Sequence, residues 1–372
     1  MKNNCYIIIA AIAVAFTIVA CTNDTKSGTN DSTKVDSVAI NANSLKPAGP
    51  PPEWAPGIKP EMQTVIEKLA SYGDKPIESL TAPDARKNHT PTDAVMDLVN
   101  ENHIGVPVSK VDTLGKDIDV QGAKIHLRVY TPKNTKGPFP IIVYYHGGGF
   151  VIADLDVYNA SALALSEQVG AVVVSVAYRL APENKFPTAH NDAFAAYEWV
   201  VKNAVSLNGD PAKIAVVGES AGGNLAANVS ITARDKNIMV PVHEVLIYPI
   251  AQANMNTESY KLYADAKPLN KAMMTWFTGQ YLTTMIEGQN PRISLVNANL
   301  KGLSPTTIIT AEIDPLHDDG AMLANKLASA GVKVNSRNYE GVTHEFFGMA
   351  LVVPEARAAQ AYVAEHLKAA FK

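Results

Sequence analysis

The stretch Val216-Val217-Gly218-Glu219-Ser220-Ala221-Gly222-Gly223-Asn224 decides the fold. Strand-forming residues run into Gly-x-Ser-x-Gly, and the alanine-rich sequence after it reads as a helix. That order puts a serine on a sharp strand-to-helix turn, where small flanking residues let the backbone bend far enough to expose the hydroxyl. Gly-x-Ser-x-Gly alone occurs by chance in many proteins, where the serine does only turn chemistry. Here His146-Gly147-Gly148-Gly149-Phe150 closes another apolar run upstream, and an aspartate and a histidine follow downstream. Together these parts predict acyl transfer through a serine.

Working outward, residues 141–145, 172–176, 214–217, 244–248 and 306–310 are short and almost wholly apolar, as strands buried on both faces of a parallel sheet must be. Residues 332–339 read as a last strand, and 117–120 with 125–130 as a hairpin about Gln121-Gly122. Helical segments at 158–169, 189–203, 220–234, 318–330 and 355–370 separate the later strands. Eight strands alternating with helices predict a doubly wound, mostly parallel α/β sheet. Two helical additions stand outside that rhythm, one at about 58–110 and one at about 252–292. The second falls between two core strands, where a lid would be attached.

Acyl transfer needs a nucleophile, a base, a group that orients the base, and donors for the oxyanion. Ser220 is the expected nucleophile. Backbone N–H groups of Ala221, at a helix N-terminus, and of Gly148 and Gly149 are the expected donors, while Gly147 serves the turn. Among nine histidines, His344 follows the last strand and fits the order Ser, Asp, His. His366, His317 and His190 lie in or at the start of helices, and His146 reads as a brace for its loop. Asp314, in the exit loop of the 306–310 strand, is the expected orienting acid, with Glu312 the alternative. Asp318 and Asp319 read as helix-capping charges.

At this point the chain resembles the bacterial hormone-sensitive-lipase family (family IV) of carboxylesterases, an α/β-hydrolase group. The motifs that carry the likeness are His146-Gly147-Gly148-Gly149-Phe150, Tyr178-Arg179-Leu180-Ala181-Pro182-Glu183 with Phe186-Pro187, Gly218 to Asn224, Asp314-Pro315-Leu316 and His344-Glu345-Phe346. The likeness runs from about Glu61 to the C-terminus. It implies an α/β-hydrolase fold with a helical cap over the acyl pocket, the triad Ser220, Asp314 and His344, and an oxyanion hole from Gly148, Gly149 and Ala221. The chain departs at Glu219, where many members carry aspartate, and at His317-Asp318-Asp319. Arg179 and Glu183, joined by Asp192, are expected to form buried ion pairs. Trp54, Met273, Met274, Trp276 and Phe277 are candidate pocket walls, although core packing explains them equally well.

The 372 residues are 47% apolar and 18% charged, an ordinary globular composition. A net charge of −4 with no block of Lys or Arg gives no footprint for a nucleic acid. Both cysteines, Cys5 and Cys21, lie at the N-terminus. Lys2, an apolar run over 6–20, and Ile18-Val19-Ala20-Cys21 resemble a lipoprotein leader, removed at residue 20 so that Cys21 carries lipid. Residues 21–57 then read as a flexible tether. The expected place is outside the cytoplasm, lipid-anchored to a bacterial membrane. Neither cofactor nor metal is expected, the partner being a small ester substrate and the protein a monomer or homodimer. Competing readings are a deacetylase of sugars or cell-wall polymers and a non-enzymatic small-molecule receptor on the same fold.

Overall fold

The computed structural model describes residues 45–133 and 135–372. The leader, Cys21 and most of the expected tether lie outside the described residues. The end of that tether, from Leu45 to Gly57, packs on the domain. Leu45 and Ala55 are buried, and Gln63 Nε2 donates to the carbonyls of Gly49 (2.9 Å) and Pro50 (3.0 Å). Its composition gives no hint of this, because the segment is held by polar groups of another element.

Eight strands form one sheet: β1 (Val111–Val120), β2 (Ala123–Pro132), β3 (Phe139–Tyr145), β4 (Val172–Ala177), β5 (Gly209–Glu219), β6 (Glu244–Ile247), β7 (Thr306–Ile313) and β8 (Val334–Thr343). Their order is β1-β2-β4-β3-β5-β6-β7-β8. β2 is antiparallel to both β1 and β4, and the remaining neighbours are parallel. The hairpin turns at Gln121 and Gly122, both with positive φ (50° and 81°), as a type I′ turn requires. β1 begins six residues earlier than sequence patterning predicts. From Asp112 to Asp117 it is exposed, so no apolar alternation marks it, and pairing with β2 carries the strand, with Asp117 reaching His126 across it at 2.7 Å.

The central strands are apolar throughout because both faces are covered. Val143, Tyr145, Val174, Ile214 and Val216 belong to one buried cluster, which includes residues of α5 (Thr188–Asn203), α6 (Ala221–Asp235) and α9 (His317–Ser329). Ile142, Tyr144, Val173, Ala215 and Val217 belong to a second, with α4 (Asn159–Val169) and α10 (Pro354–Ala370). The period-two alternation of a strand sorts neighbouring residues between the two layers. Each such fully buried aliphatic contributes about 1.5–3 kcal/mol relative to an exposed one.

The first helical addition is α1 (Pro60–Ser71), α2 (Ala82–Ala85) and α3 (Pro91–Glu101). α1 and α3 join the second cluster. The addition between β6 and β7 carries α7 (Glu258–Leu262) and α8 (Lys271–Tyr281). Trp276 of α8 donates its indole N–H to the Leu80 carbonyl at 3.1 Å, tying the two additions together. Arg179 pairs with the fully buried Asp192 at 2.6 Å, as expected. Glu183 does not join them. It is half-exposed and pairs with Arg86 at 2.7 Å, a partner 97 residues away that its local motif cannot reveal.

Candidate active site

Ser220 links β5 to α6 with φ 55° and ψ −116°, a conformation sparsely populated for a residue with a Cβ. The glycines around it are needed for space. A Cβ on Gly218 would lie 2.0 Å from the Gly222 carbonyl oxygen, and one on Gly222 would lie 2.0 Å from that of Tyr145. The turn is held by Ser220 N–H donating to the Ile247 carbonyl (2.9 Å) and by Ile250 N–H donating to the Ser220 carbonyl (3.2 Å).

The other chemistry-bearing residues come from strand ends that the topology gathers beside β5. His344 follows β8, and its Nε2 lies 2.9 Å from Ser220 Oγ. Its Nδ1 lies 2.6 Å from Asp314 Oδ2, just past the end of β7. Leu316 N–H donates to the other Asp314 oxygen at 2.8 Å and fixes the carboxylate. These partners assign the tautomer: Nδ1–H donates to Asp314, and the Nε2 lone pair faces the serine hydroxyl. All three side chains are buried, Asp314 completely. Burial alone would pull the His344 imidazole down. The Asp314 carboxylate, with Glu345 and Glu219 further away, outweighs it and holds the ring above its ordinary value.

Gly148 and Gly149 have φ of 94° and 60°, a region that favours glycine. A Cβ on Gly148 would lie 2.2 Å from the Ile152 carbonyl oxygen. Among the described residues, the N–H groups of Gly148, Gly149 and Ala221 donate to no protein acceptor. Gly147 has a different constraint, since its Cβ would lie 2.2 Å from the Tyr158 hydroxyl. His146 stacks on Tyr178 at 4.4 Å, and burial pushes it down to about 4, so it serves as a brace.

The remaining candidates are placed elsewhere. Glu312 accepts the Gly341 N–H at 2.7 Å and stands off the triad. Asp319 is buried and holds the Ala251 and Gln252 N–H groups, while Asp318 accepts from Ser259 N–H. His190 bonds Tyr281 and Asn224, and His366 bonds the Tyr362 carbonyl. Of the expected walls, Met273, Met274 and Phe277 line a cavity of about 580 Å³ that opens on Ser220, Gly148, Gly149 and His344. Trp54 and Trp276 do not line it.

Sequence reasoning missed the groups beneath and beside the triad. Glu219 is buried, and burial pushes its carboxyl up; it accepts hydroxyl hydrogen bonds from Tyr144 and Tyr248. Tyr248 in turn packs its ring 4.6 Å from that of His344. Glu345 lines the cavity and accepts from the Tyr158 hydroxyl at 3.0 Å. No local pattern announces these three tyrosines, because the partners of Tyr248, Tyr144 and Tyr158 are 29, 75 and 187 residues away.

A family model described as the alpha/beta hydrolase fold matches residues 142–348, from within β3 to just past His344. Carboxylesterase NlhH of Mycobacterium tuberculosis is 41% identical over 236 residues, covering 62% of this chain and 74% of that protein. An ethyl acetate hydrolase of Pseudomonas putida is 35% identical over 251 residues, covering 66% and 79%. Among solved structures, a thermostable esterase from Pseudomonas putida superposes with a TM-score of 0.78 at 33% identity, covering 86% of this chain and 99% of that one. Sequence, sheet topology and relatives agree, and the chain belongs to the α/β-hydrolase superfamily as one of its carboxylic ester hydrolases.

Proposed function

We propose that this enzyme hydrolyses short- to medium-chain acyl esters through an acyl-enzyme on Ser220. The observation that carries the reading is the continuous relay Ser220 Oγ–His344–Asp314, with distances of 2.9 and 2.6 Å, beneath three unpartnered N–H groups. Ser220 Oγ attacks the ester carbonyl carbon while its proton passes to His344 Nε2. The carbonyl oxygen becomes an oxyanion that accepts from the N–H groups of Gly148, Gly149 and Ala221, each worth roughly 3–4 kcal/mol. Asp314 stabilises the imidazolium that has formed.

Collapse of this intermediate breaks the bond to the alcohol oxygen, and His344 Nε2–H gives that oxygen its proton. Water then attacks the acyl carbon, His344 takes its proton, and a second collapse releases the acid and restores Ser220. The balance is ester plus water to acid plus alcohol. A cavity of about 580 Å³ with Met273, Met274 and Phe277 in its walls offers an apolar acyl site, and the likeness to an ethyl acetate hydrolase supports short acyl groups.

The test is hydrolysis of nitrophenyl esters from acetate to palmitate by the wild type and by Ser220→Ala. Turnover highest on short chains, falling by roughly 10⁶-fold in the variant, is expected. Undiminished turnover in Ser220→Ala would sink the mechanism. The leader pattern further supports a lipid anchor at Cys21 that holds the enzyme outside the cytoplasm on a bacterial membrane, in the periplasm or at the outer membrane. Detergent-phase partitioning that survives Cys21→Ser would count against that anchor.

A further inference from the structure

Glu345 is the feature of the site that the hydrolytic mechanism leaves without a task. It follows His344 directly and holds φ 66° and ψ 7°, a left-handed backbone that glycine would take freely. Glu345 is half-buried and is one of the residues lining the catalytic cavity; it also borders a small cleft shared with Tyr158 and Glu219. Oε1 accepts from Tyr158 at 3.0 Å, and among the described residues Oε2 has no hydrogen-bond partner. Charged groups face it from several elements: His344 on its own loop, Asp314 after β7 and Glu219 at the end of β5. Lys75, Arg86 and Lys267 line the same cavity together with Asp74, Glu78 and Asp154.

The position relative to the reacting atoms gives the carboxylate a side. His344 Nε2 protonates the departing alcohol oxygen, so the alcohol part of an ester lies towards His344, and the acyl part lies across the oxyanion donors. Glu345 follows His344 in the wall of the same cavity, which puts it on the His344 side of the reacting atoms. Resting on the serine mechanism above, we propose that Glu345 is a specificity-determining residue that selects esters whose alcohol part is positively charged and rejects those whose alcohol part is anionic. Burial pushes its carboxyl above the ordinary range, with His344 pulling it back, so the selection is strongest on the alkaline side.

The experiment compares three butyrate esters at about pH 8, well above the ordinary carboxylate range. These are butyrylcholine, its uncharged carbon isostere, and the butyrate ester of glycolate. Glu345→Gln keeps an acceptor for the Tyr158 hydroxyl and removes the charge. The wild-type cation-to-neutral ratio of kcat/KM is expected to fall on the order of tenfold in this variant, and the anion-to-neutral ratio to rise by a similar factor. Glu345→Gly, which suits the left-handed backbone, is expected to behave in the same way and covers the case in which the glutamine variant folds poorly. Ratios within about twofold of wild type in both variants would overturn the proposal. Nitrophenyl butyrate turnover and its loss in Ser220→Ala test the serine mechanism separately, so the two failures are distinguishable.

Discussion

Gly149→Ala is the sharpest probe of how the helical addition carrying α8 fits against the Gly148-Gly149 loop. A Cβ at residue 149 would lie 2.4 Å from Cγ and Cδ1 of Phe277 and 2.8 Å from Cδ2. Ordinary carbon contacts are about 3.5–4.0 Å, so ring or loop must retreat by about 1 Å. A shift of that size in catalytic geometry costs roughly 10²-fold, or about 2.7 kcal/mol of barrier. The φ of 60° adds about 1–2 kcal/mol for an alanine, which falls on loop stability. Gly149→Ala is therefore expected to lose roughly 10²-fold in kcat/KM on nitrophenyl butyrate. Phe277→Ala removes the clashing ring while leaving the φ penalty. Measured against Phe277→Ala alone, the double variant should lose no more than about tenfold, a coupling of about 1.4 kcal/mol or more. Additive losses would refute the reasoning, because the damage would then come from the backbone and not from contact with α8.

Two further predictions follow from titration. His344 must be neutral to accept the serine proton, so kcat/KM should rise with pH through a midpoint above 6.5, the ordinary histidine value. Asp314→Asn removes the carboxylate that raises the ring, so kcat should fall roughly 10⁴-fold and the midpoint should move down; an unmoved acid limb would contradict the assignment. Glu244 is fully buried, its Oε2 has no partner, and burial pushes its carboxyl up to about 7. The folded chain thus holds a proton that the unfolded chain releases, and stability falls as pH rises from the ordinary carboxylate range through about 7. Glu244→Gln should unfold in urea like wild type at about pH 5 and be more stable by on the order of 2 kcal/mol at about pH 8; an equal difference at both pH values would sink the idea.

The parts of this protein that could be read from sequence are those where chemistry acts through adjacent residues. The elbow at Ser220 needs Gly218 and Gly222 because backbone atoms of Gly222 and Tyr145 occupy the space of a side chain. The central strands had to be apolar on both faces because α4 and α10 cover one and α5 and α6 the other. Order along the chain points to His344 and Asp314, and the fold brings both beside Ser220 because parallel strands deliver their C-terminal ends to one edge of the sheet.

What escaped sequence reading depends on contacts between distant segments. Trp276 looks like a pocket wall in sequence, yet its indole N–H donates to the Leu80 carbonyl and joins the two helical additions. Glu183 carries the same charge whether it meets Arg179 or Arg86, and only the placement of α2 decides between them. Glu345 is the most instructive case. His-Glu-Phe is read as a motif about its histidine, and nothing local says that the glutamate faces the cavity. The left-handed turn and the Tyr158 hydroxyl, 187 residues away, fix where its carboxylate sits. The reaction type is thus written locally, in the residues that must touch one another along the chain. The surroundings of that chemistry are set by contacts such as Tyr158–Glu345 and Leu80–Trp276, whose partners stand more than 100 residues apart, and a fold shared with relatives does not by itself fix the substrate.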